Sequence, residues 1–258
     1  MKVSQSQIWE HILTQCKYNT EQIIITADQI KACKDSWKGT KCQFEPRLLC
    51  YQTSDSDRPE IFKKNNLYIL PIKNGEYLLS NNNIYKNLEY TQIPVIKIKK
   101  DKLSQLLDIG NSETSVIDNL RYSGIFETEK FLGEKITHGP LLNGRHYCTM
   151  DMKLGLSNIN ISGVQYEVDC CFESQNKILL IEGKSKNKKI DSFNIRQLYY
   201  PYRVIYDKIK NKEIICLFIH QLKNIINIWK YTFTEFDKMD SIVCTGYYRF
   251  SYYETSLL

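Results

Sequence analysis

The 258 residues are enough for one large domain or two small ones, with a substantial core in either case. Lys and Arg total 35 against 29 Asp and Glu, and this formal net charge of +6 permits binding of a polyanion without requiring it. The nine cysteines include no Cys-x-x-Cys pair, which argues against a zinc site and for free thiols, and no stretch approaches the about 20 apolar residues of a membrane span. These observations predict a soluble, cytoplasmic protein.

The chain begins with a predicted helix. After a serine-rich start suited to capping, four large apolar side chains recur at helical spacing on one face: Ile8, Trp9, Ile12 and Leu13. Residues 20–26 favour a β-strand, and Thr26 is a suitable cap for a second helix from Ala27 to Lys34. A short helical or loop segment is predicted at residues 46–50.

A β-hairpin is predicted next, because Asn74-Gly75 is typical of a tight type I′ turn and is flanked by β-like sequence. Helices followed by a two-stranded ribbon predict a winged-helix-like module. Residues 92–125 alternate β-like and helical patterns and join this module to the rest of the chain. We place the boundary near residue 100, which gives an amino-terminal region of residues 1–100 and a second region of residues 101–258.

Residues 164–185 predict a second hairpin. With a turn centred on Gln175-Asn176, paired residue numbers sum to 351, so Asp169 lies opposite Glu182. Opposed Cβ atoms are about 4.5–5.5 Å apart, and alternation places Lys184 on the same face. The other face is predicted to be apolar: Tyr166, Val168, Cys170, Phe172, Leu179, Ile181 and Gly183.

Two carboxylates at that separation can both bind one Mg²⁺, whose oxygen ligands lie at about 2.0–2.1 Å. Metal-dependent phosphodiester cleavage requires such a pair together with a cationic side chain like that of Lys184. Charges at the end of a buried strand need partners. Cross-strand salt bridges, including one between Glu167 and Lys184, are the structural alternative.

The remaining pattern predicts a helix and three strands. Asp191 can cap a helix that runs through Tyr200 and is interrupted or ended by Pro201. Strands are predicted at residues 214–220 and 226–233, and they complete an α/β core. The tyrosine-rich residues 247–253 alternate like an edge strand.

Asp169, twelve intervening residues and then Glu182-Gly183-Lys184 resemble the catalytic core of the PD-(D/E)XK nucleases. Val168 stands where a proline often precedes the first acid, at a position that varies in that family. The resemblance covers roughly residues 120–235. It implies fold class α/β (α+β), with a mixed sheet flanked by helices that carries the acidic pair and the lysine on its second and third strands. The winged-helix-like region would precede this core and read DNA.

By this resemblance, Asp169 and Glu182 would bind Mg²⁺, the Gly183 carbonyl would add a ligand, and Lys184 would position or activate the attacking water. The implied activity is that of a type II restriction endonuclease, which hydrolyses double-stranded DNA and leaves 5′-phosphates. The implied partners are a second copy of the chain in a two-fold homodimer and a cognate DNA methyltransferase as genetic partner, with no membrane. The alternatives are a repair or recombination nuclease of the same core and a non-catalytic winged-helix DNA-binding protein.

Side chains able to contact DNA occur in three places. Arginine pairs with guanine and glutamine with adenine, which makes candidates of Gln43, Arg47 and Arg58 in the first region and of Arg145 and His146 in a turn-rich segment. Basic residues follow the predicted site: Lys186, Lys188, Lys189 and Arg196. Gln197 lies about where some relatives carry a helical glutamine, but their tyrosine four residues later is Pro201 here.

Many nucleases of this core recruit a further carboxylate from an upstream helix, and the candidates are Glu127, Glu129 and Glu134. An exposed acidic helix face is the alternative explanation. Two other sites find little support in this sequence. An HNH-type site at His138, Asn143 and His146 would need a ββα setting, and a zinc site at His146 and Cys148 lacks further ligands.

Overall fold

The computed structural model describes residues 5–16, 23–37, 44–99, 112–185 and 189–253. The fold is mixed α and β and consists mostly of sheet, with a few helices packed against it, which confirms the predicted class at this level. No helix in the described ranges is both long and apolar enough to cross a bilayer. The eight cysteines in these ranges are free thiols, as predicted.

The amino-terminal elements are α1 (Gln5–Gln15), β1 (Ile23–Thr26), α2 (Ala27–Ala32), α3 (Pro46–Leu49), α4 (Glu60–Lys64), β2 (Tyr68–Lys73) and β3 (Glu76–Ser80). The predicted apolar face of α1 is buried. Thr26 caps α2 as predicted, because its Oγ1 accepts a hydrogen bond from the Gln29 backbone N–H at 3.1 Å and Gln29 Oε1 accepts one from the Thr26 N–H at 2.8 Å. The helix ends at Ala32, two residues before the predicted end.

Strands β2 and β3 form the predicted hairpin. Gly75 has a φ of +76° at the turn, a conformation that glycine adopts without steric cost. Strand β1 pairs antiparallel with β3, so the three strands lie in the order β1-β3-β2. The helices cover one face of this sheet around a core that contains Trp9 and Phe62.

The remaining elements are β4 (Tyr85–Asn87), β5 (Ile96–Lys99), α5 (Glu113–Tyr122), β6 (Ile136–Leu141), β7 (Gly144–Leu154), β8 (Ser157–Val168), β9 (Cys170–Ser174), β10 (Lys177–Ser185), β11 (Ser192–Asn194), α6 (Arg196–Lys208), β12 (Glu213–Leu222), β13 (Ile225–Phe233) and β14 (Ile242–Tyr253). Seven strands form a mixed sheet in the order β5-β14-β13-β12-β10-β9-β6, in which β10 and β12 are parallel. Strands β8 and β7 extend the amino-terminal sheet beyond β2.

The seven-stranded sheet is covered on both faces. Helix α5 packs on one face, where Ile117 joins a core with four residues of the predicted hairpin: Cys170, Phe172, Leu179 and Ile181. Helix α6 packs on the other face, which has its own core. The prediction was wrong for Tyr166 and Val168, which belong to this second core. The reason is a bend at Asp169, where the chain leaves one sheet and enters the other.

Helix α6 differs from its prediction at both ends. It begins at Arg196 and continues through Pro201 to Lys208, so Pro201 neither ends nor interrupts it. A proline in the second turn forfeits one backbone hydrogen bond, and here the burial of that turn against the sheet outweighs the loss. Asp191 does not cap the helix, because its Oδ1 accepts a hydrogen bond from Ser56 Oγ at 3.1 Å.

Strands β12 and β13 confirm the two predicted strands, but β14 is not the predicted edge strand. It pairs antiparallel with β13 and parallel with β5. Residues 96–99 therefore take the edge of the sheet and cover the strand that the tyrosine-rich sequence forms.

Candidate active site

The carboxyl end of β10 carries Glu182, Gly183 and Lys184 beside the bend at Asp169. The predicted register is confirmed, because Ile178 pairs with Glu173 and Ile181 with Cys170. One step further along this register Asp169 meets Glu182. The Gly183 N–H donates a hydrogen bond of 2.7 Å to Asp169 Oδ2. The first acid is thus fixed to the strand that carries the second.

Glu182 is a buried carboxyl group with two cationic or amide neighbours. It is 5% exposed, and its Oε1 accepts a hydrogen bond of 2.6 Å from Lys184 Nζ. The amide of Gln197, in the first turn of α6, donates to the same oxygen. The helical glutamine that the resemblance implied therefore does contact the site, although Pro201 stands where the accompanying tyrosine would be.

The electrostatics of the two groups follow from this crowding. Burial raises the pKa of Glu182 to about 8, and the negative charges of Asp169 and Glu113 add to the rise while Lys184 opposes it. Burial by itself lowers the pKa of Lys184, but the carboxylates of Glu182, Asp169 and Glu113 together outweigh that effect and hold it above its usual value. Lys184 is therefore a permanent cation among acidic side chains.

Glu113 is the site residue that the sequence did not reveal. It lies in the first turn of α5, and its Oε1 is 3.7 Å from Lys184 Nζ. Gly183 makes this approach possible, since a Cβ atom there would lie 3.3 Å from Ile117 Cδ1 and 3.5 Å from Glu113 Cβ. The available signal was an acidic residue directly after the helix-capping Ser112.

The three predicted upstream glutamates do not reach the site, which corrects that expectation. Glu127 Oε1 accepts a hydrogen bond from the Ile136 N–H at 2.9 Å. Glu134 binds the turn between β9 and β10, at the opposite end of the hairpin. Glu129 lies against Gly133, the residue that precedes Glu134. The alternative salt bridge from Glu167 to Lys184 is also absent from the described residues, because Glu167 pairs with Arg145 at 2.9 Å.

The charges and donor atoms of the site suit a divalent cation. Asp169, Glu182 and Glu113 carry three negative charges when ionised, against the single positive charge of Lys184. Carboxylate and carbonyl oxygens are the ligands that Mg²⁺ prefers, and it usually needs only one or two carboxylates because waters complete its shell. Within the described ranges, no three His, Cys, Asp or Glu side chains form a ready-made metal cluster. Asp169, Glu182 and the Gly183 carbonyl are therefore the candidate ligands.

The predicted DNA-contacting residues are scattered. Arg145 is exposed in β7, where it pairs with Glu167. His146 Nε2 donates to the Leu142 carbonyl at 2.8 Å, so this ring shapes its own loop. Arg47 is exposed on α3. Gln43, Lys186 and Lys188 lie outside the described residues.

Arg58 was predicted to contact DNA bases, but the structure buries its side chain. Its side chain is 8% exposed, its Nη1 donates to the Leu67 carbonyl at 3.0 Å, and its Nε lies 2.8 Å from Asp55 Oδ1. The guanidinium also stacks on the Tyr68 ring at 4.1 Å. A group with all of these partners holds the amino-terminal fold together and cannot reach a base.

Two further basic residues lie near the site strand. Arg196 is half-buried at the start of α6, close to Tyr77 and Tyr200, whose pKa values are raised by burial and lowered in part by its charge. Lys189 is exposed, with its Nζ 4.5 Å from the centroid of the Tyr90 ring. Neither contacts Asp169, Glu182 or Glu113 among the described residues, so their predicted role in DNA binding stays a prediction.

Comparison with known proteins divides the chain into two parts. A family model described as a domain of unknown function, DUF6997, matches residues 80–251. A second one with the same description, DUF6996, matches residues 6–79. No curated protein and no solved structure matches the chain. The two matches meet at the last residue of β3, Ser80, and every residue of the candidate site lies within the larger match.

Proposed function

The chain belongs to the DUF6997 family, and we propose that this member is a Mg²⁺-dependent, sequence-specific endodeoxyribonuclease of the type II restriction class. One observation carries the proposal: Asp169, at the bend before β9, lies together with Glu182 and Lys184 at the end of the neighbouring buried strand β10. Glu113 and Gln197 add a carboxylate and an amide from the helices on either face. This set agrees with the PD-(D/E)XK resemblance, including an upstream helical acid.

The chemistry follows from the side chains. Bound Mg²⁺ would supply an acidified water and neutralise charge on the scissile phosphate. Asp169 and Glu182 would hold the ion, with the Gly183 carbonyl as a further ligand. Lys184 keeps its proton, so it would orient the attacking water and stabilise the negative charge that develops on the phosphate oxygens. In-line attack on the phosphate would leave a 5′-phosphate.

The amino-terminal region supports a DNA substrate. Its helices and strands follow one another as α1, β1, α2, α3, α4, β2 and β3, with the strands in the order β1-β3-β2. This order and pairing support the proposed winged-helix-like module, in which a helix would enter the major groove. Arg47 is exposed on α3 and is the reader we propose from this region.

The remaining partners also belong to the proposal. A two-fold homodimer would match the symmetry of a palindromic site. A cognate DNA methyltransferase would protect the DNA of the host, and the site of action would be the cytoplasm. Equilibrium sedimentation of the full chain with and without duplex DNA would measure the oligomeric state.

The test uses the purified chain with unmethylated phage DNA and Mg²⁺. We expect discrete fragments from the wild type and none from Asp169→Ala or Lys184→Ala. Glu213→Ala is the matched control, because Glu213 is an acid at the opposite end of the same sheet, 4.0 Å from Lys177. It should cut like the wild type.

Three outcomes would contradict the proposal in different ways. Fragments that persist in both site variants would move the active centre elsewhere. Cleavage of branched or single-stranded DNA but not of duplex DNA would favour a repair or recombination nuclease of the same core. DNA binding without cleavage, unaffected by Mg²⁺ or by Asp169→Ala, would favour a non-catalytic DNA-binding protein.

A further inference from the structure

A turn with an exposed apolar tip lies beside the candidate site. It connects β6 to β7 and comprises residues 141–146, which we call the Leu142 turn. Leu141 is 40% exposed and Leu142 48% exposed. Arg145 lies within the turn and Tyr147 directly follows it, and both are also exposed. Nearly half of the surface of these two adjacent leucines stays in contact with water, which the hydrophobic effect disfavours.

The strand register places this turn next to Asp169. Leu141 pairs with Cys171, and Gly144 pairs with Val168. Residues 142 and 143 therefore run alongside the bend that carries Asp169, on the side away from β10. The turn and β10 therefore lie on the two sides of Asp169, so a substrate backbone bound at this residue would pass close to the Leu142 turn.

The turn is held in a strained conformation. Leu142 has a φ of +57°, and it is the one apolar side chain among the three described non-glycine residues with positive φ. This left-handed conformation is unfavourable for leucine, because its Cβ atom crowds the backbone. His146 holds the turn in place, because it donates to the Leu142 carbonyl at 2.8 Å and its ring packs on Tyr166 with centroids 5.5 Å apart. Strain that the surroundings enforce is typical of functional segments.

We propose that the Leu142 turn is a wedge that enters the base stack of duplex DNA next to the scissile phosphate. The inference rests on the proposed function, since it requires DNA at Asp169. Apolar side chains such as leucine are used in this way by proteins that unstack one base step and bend the duplex. The stacked bases would cover the exposed surface of Leu141 and Leu142, and Arg145 would exchange its exposed partner Glu167 for the phosphate backbone.

The variant that tests the wedge is Leu142→Asn. Asparagine tolerates the left-handed conformation better than leucine and removes the apolar tip without deleting the turn. Leu156→Asn is the matched control. Leu156 is a fully exposed leucine in the tight turn between β7 and β8. It lies at the far end of the hairpin, roughly 30 Å from the Leu142 turn at the usual rise per residue of a strand.

Unwinding of a plasmid measures insertion without a known recognition sequence. Plasmid is relaxed by a topoisomerase that needs no Mg²⁺, in EDTA, with the chain at a concentration that saturates binding in a gel-shift assay. We expect the wild type and Leu156→Asn to leave negative supercoils after protein removal. Leu142→Asn should leave fewer by about two-fold or more, because an unstacked step is untwisted.

The outcomes separate the wedge from the nuclease. Equal unwinding by Leu142→Asn and the wild type overturns the wedge, as does a wild type that binds without unwinding or fails to bind. If the wild type cuts phage DNA but does not unwind plasmid, the proposed function stands and the wedge falls. If it unwinds plasmid but never cuts, the nuclease activity falls, and the Leu142 turn stands only as a wedge of a DNA-binding protein. A dimer in sedimentation that Leu142→Asn alone dissociates would assign the leucines to a contact between copies and also overturn the wedge.

Discussion

Strand β10 has clusters of charged side chains at both of its ends. At its amino end, Glu134 accepts hydrogen bonds of 3.0 Å from the backbone and the side chain of Asn176. Glu173 pairs with Lys212 at 2.6 Å, and Glu213 lies 4.0 Å from Lys177. Each acid at this end has its own donor or cation.

At the carboxyl end, three acids share one lysine. Glu182 and Glu113 both face Lys184, and the Gly183 N–H donates the hydrogen bond that Asp169 accepts. The pKa values differ accordingly, since hydrogen bonds from Ser174 and Asn176 lower that of Glu134 while burial raises that of Glu182 to about 8. At the amino end, the chain supplies a donor or cation for each acid. At the carboxyl end, the acids outnumber the cations, which leaves negative charge that a bound cation can neutralise.

The largest expected effect is on catalysis at the carboxyl end. Glu182→Gln keeps an oxygen that can accept from Lys184 and Gln197 but removes the charge that would bind the metal. We expect DNA cleavage to fall by about 1000-fold or more, as when a group that stabilises the transition state is lost. Initial rates on plasmid DNA at saturating Mg²⁺ provide the measurement.

Glu213→Gln is the counterpart at the amino end and should leave the cleavage rate within about two-fold, because Glu213 is an exposed partner of Lys177. A similar loss in both variants would mean that removal of any acid near β10 disturbs the fold. It would remove the distinction between the two ends.

Glu113→Gln should have a smaller effect on the same reaction. Its carboxylate is 3.7 Å from Lys184 Nζ, and its side chain is 39% exposed against 6% for that of Glu182. A residue that orients the first shell of a metal site typically contributes about 10- to 100-fold. We expect a loss in that range, together with a higher Mg²⁺ concentration for half-maximal rate. Glu127→Gln, which alters a rejected candidate, should change neither quantity.

The site was predictable where it depends on local pairing. The register of β9 and β10 follows from the turn at Gln175-Asn176, and it brought Asp169 to Glu182 and Lys184 as expected. Glu113 was not predictable in this way, because its approach depends on the packing of α5 over Gly183, a contact between residues 70 apart in the chain. The sequence pointed instead to Glu127, Glu129 and Glu134, which lie nearer to Asp169 along the chain.

The fold shows the same limit. Strict alternation along residues 164–172 assumed one continuous strand, but the chain bends at Asp169 and sends Tyr166 and Val168 to another core. Pro201 was expected to disrupt a helix that tertiary burial in fact maintains. Hydrophobic periodicity and residue propensity describe one helix or strand at a time. The two errors arise where the chain passes from one sheet to the other at Asp169 and where packing against the sheet keeps Pro201 within α6.

Stability should respond with opposite signs at the two ends. Asp169→Asn keeps an acceptor for the Gly183 N–H and removes one acid from a cluster in which three acids share one lysine. We expect the free energy of unfolding without Mg²⁺ to rise by about 1 kcal/mol, as is common when a functional site is relieved of strain. Glu173→Gln breaks the balanced pair with Lys212 and should lower it by about 0.5 kcal/mol. Urea unfolding gives both values, and a shift of the same sign in both variants would refute the distinction.

The smallest effect concerns the pH dependence of Glu134→Gln. The hydrogen bonds from Ser174 and Asn176 lower the pKa of Glu134 in the folded chain. The ionised carboxylate of Glu134 therefore stabilises the fold at pH values above its pKa in the unfolded chain, about 4.3. That contribution is lost as the pH falls through the lower, folded value. We expect the variant to unfold at a lower urea concentration than the wild type at pH 7 and the difference to shrink when both are measured at pH 4 and below. Because the amide still accepts one hydrogen bond, the difference at pH 7 should be small but reproducible.

A difference that grows toward low pH would show that Glu134 is held by its neighbours in its protonated form, and the amino end of β10 would then resemble the carboxyl end.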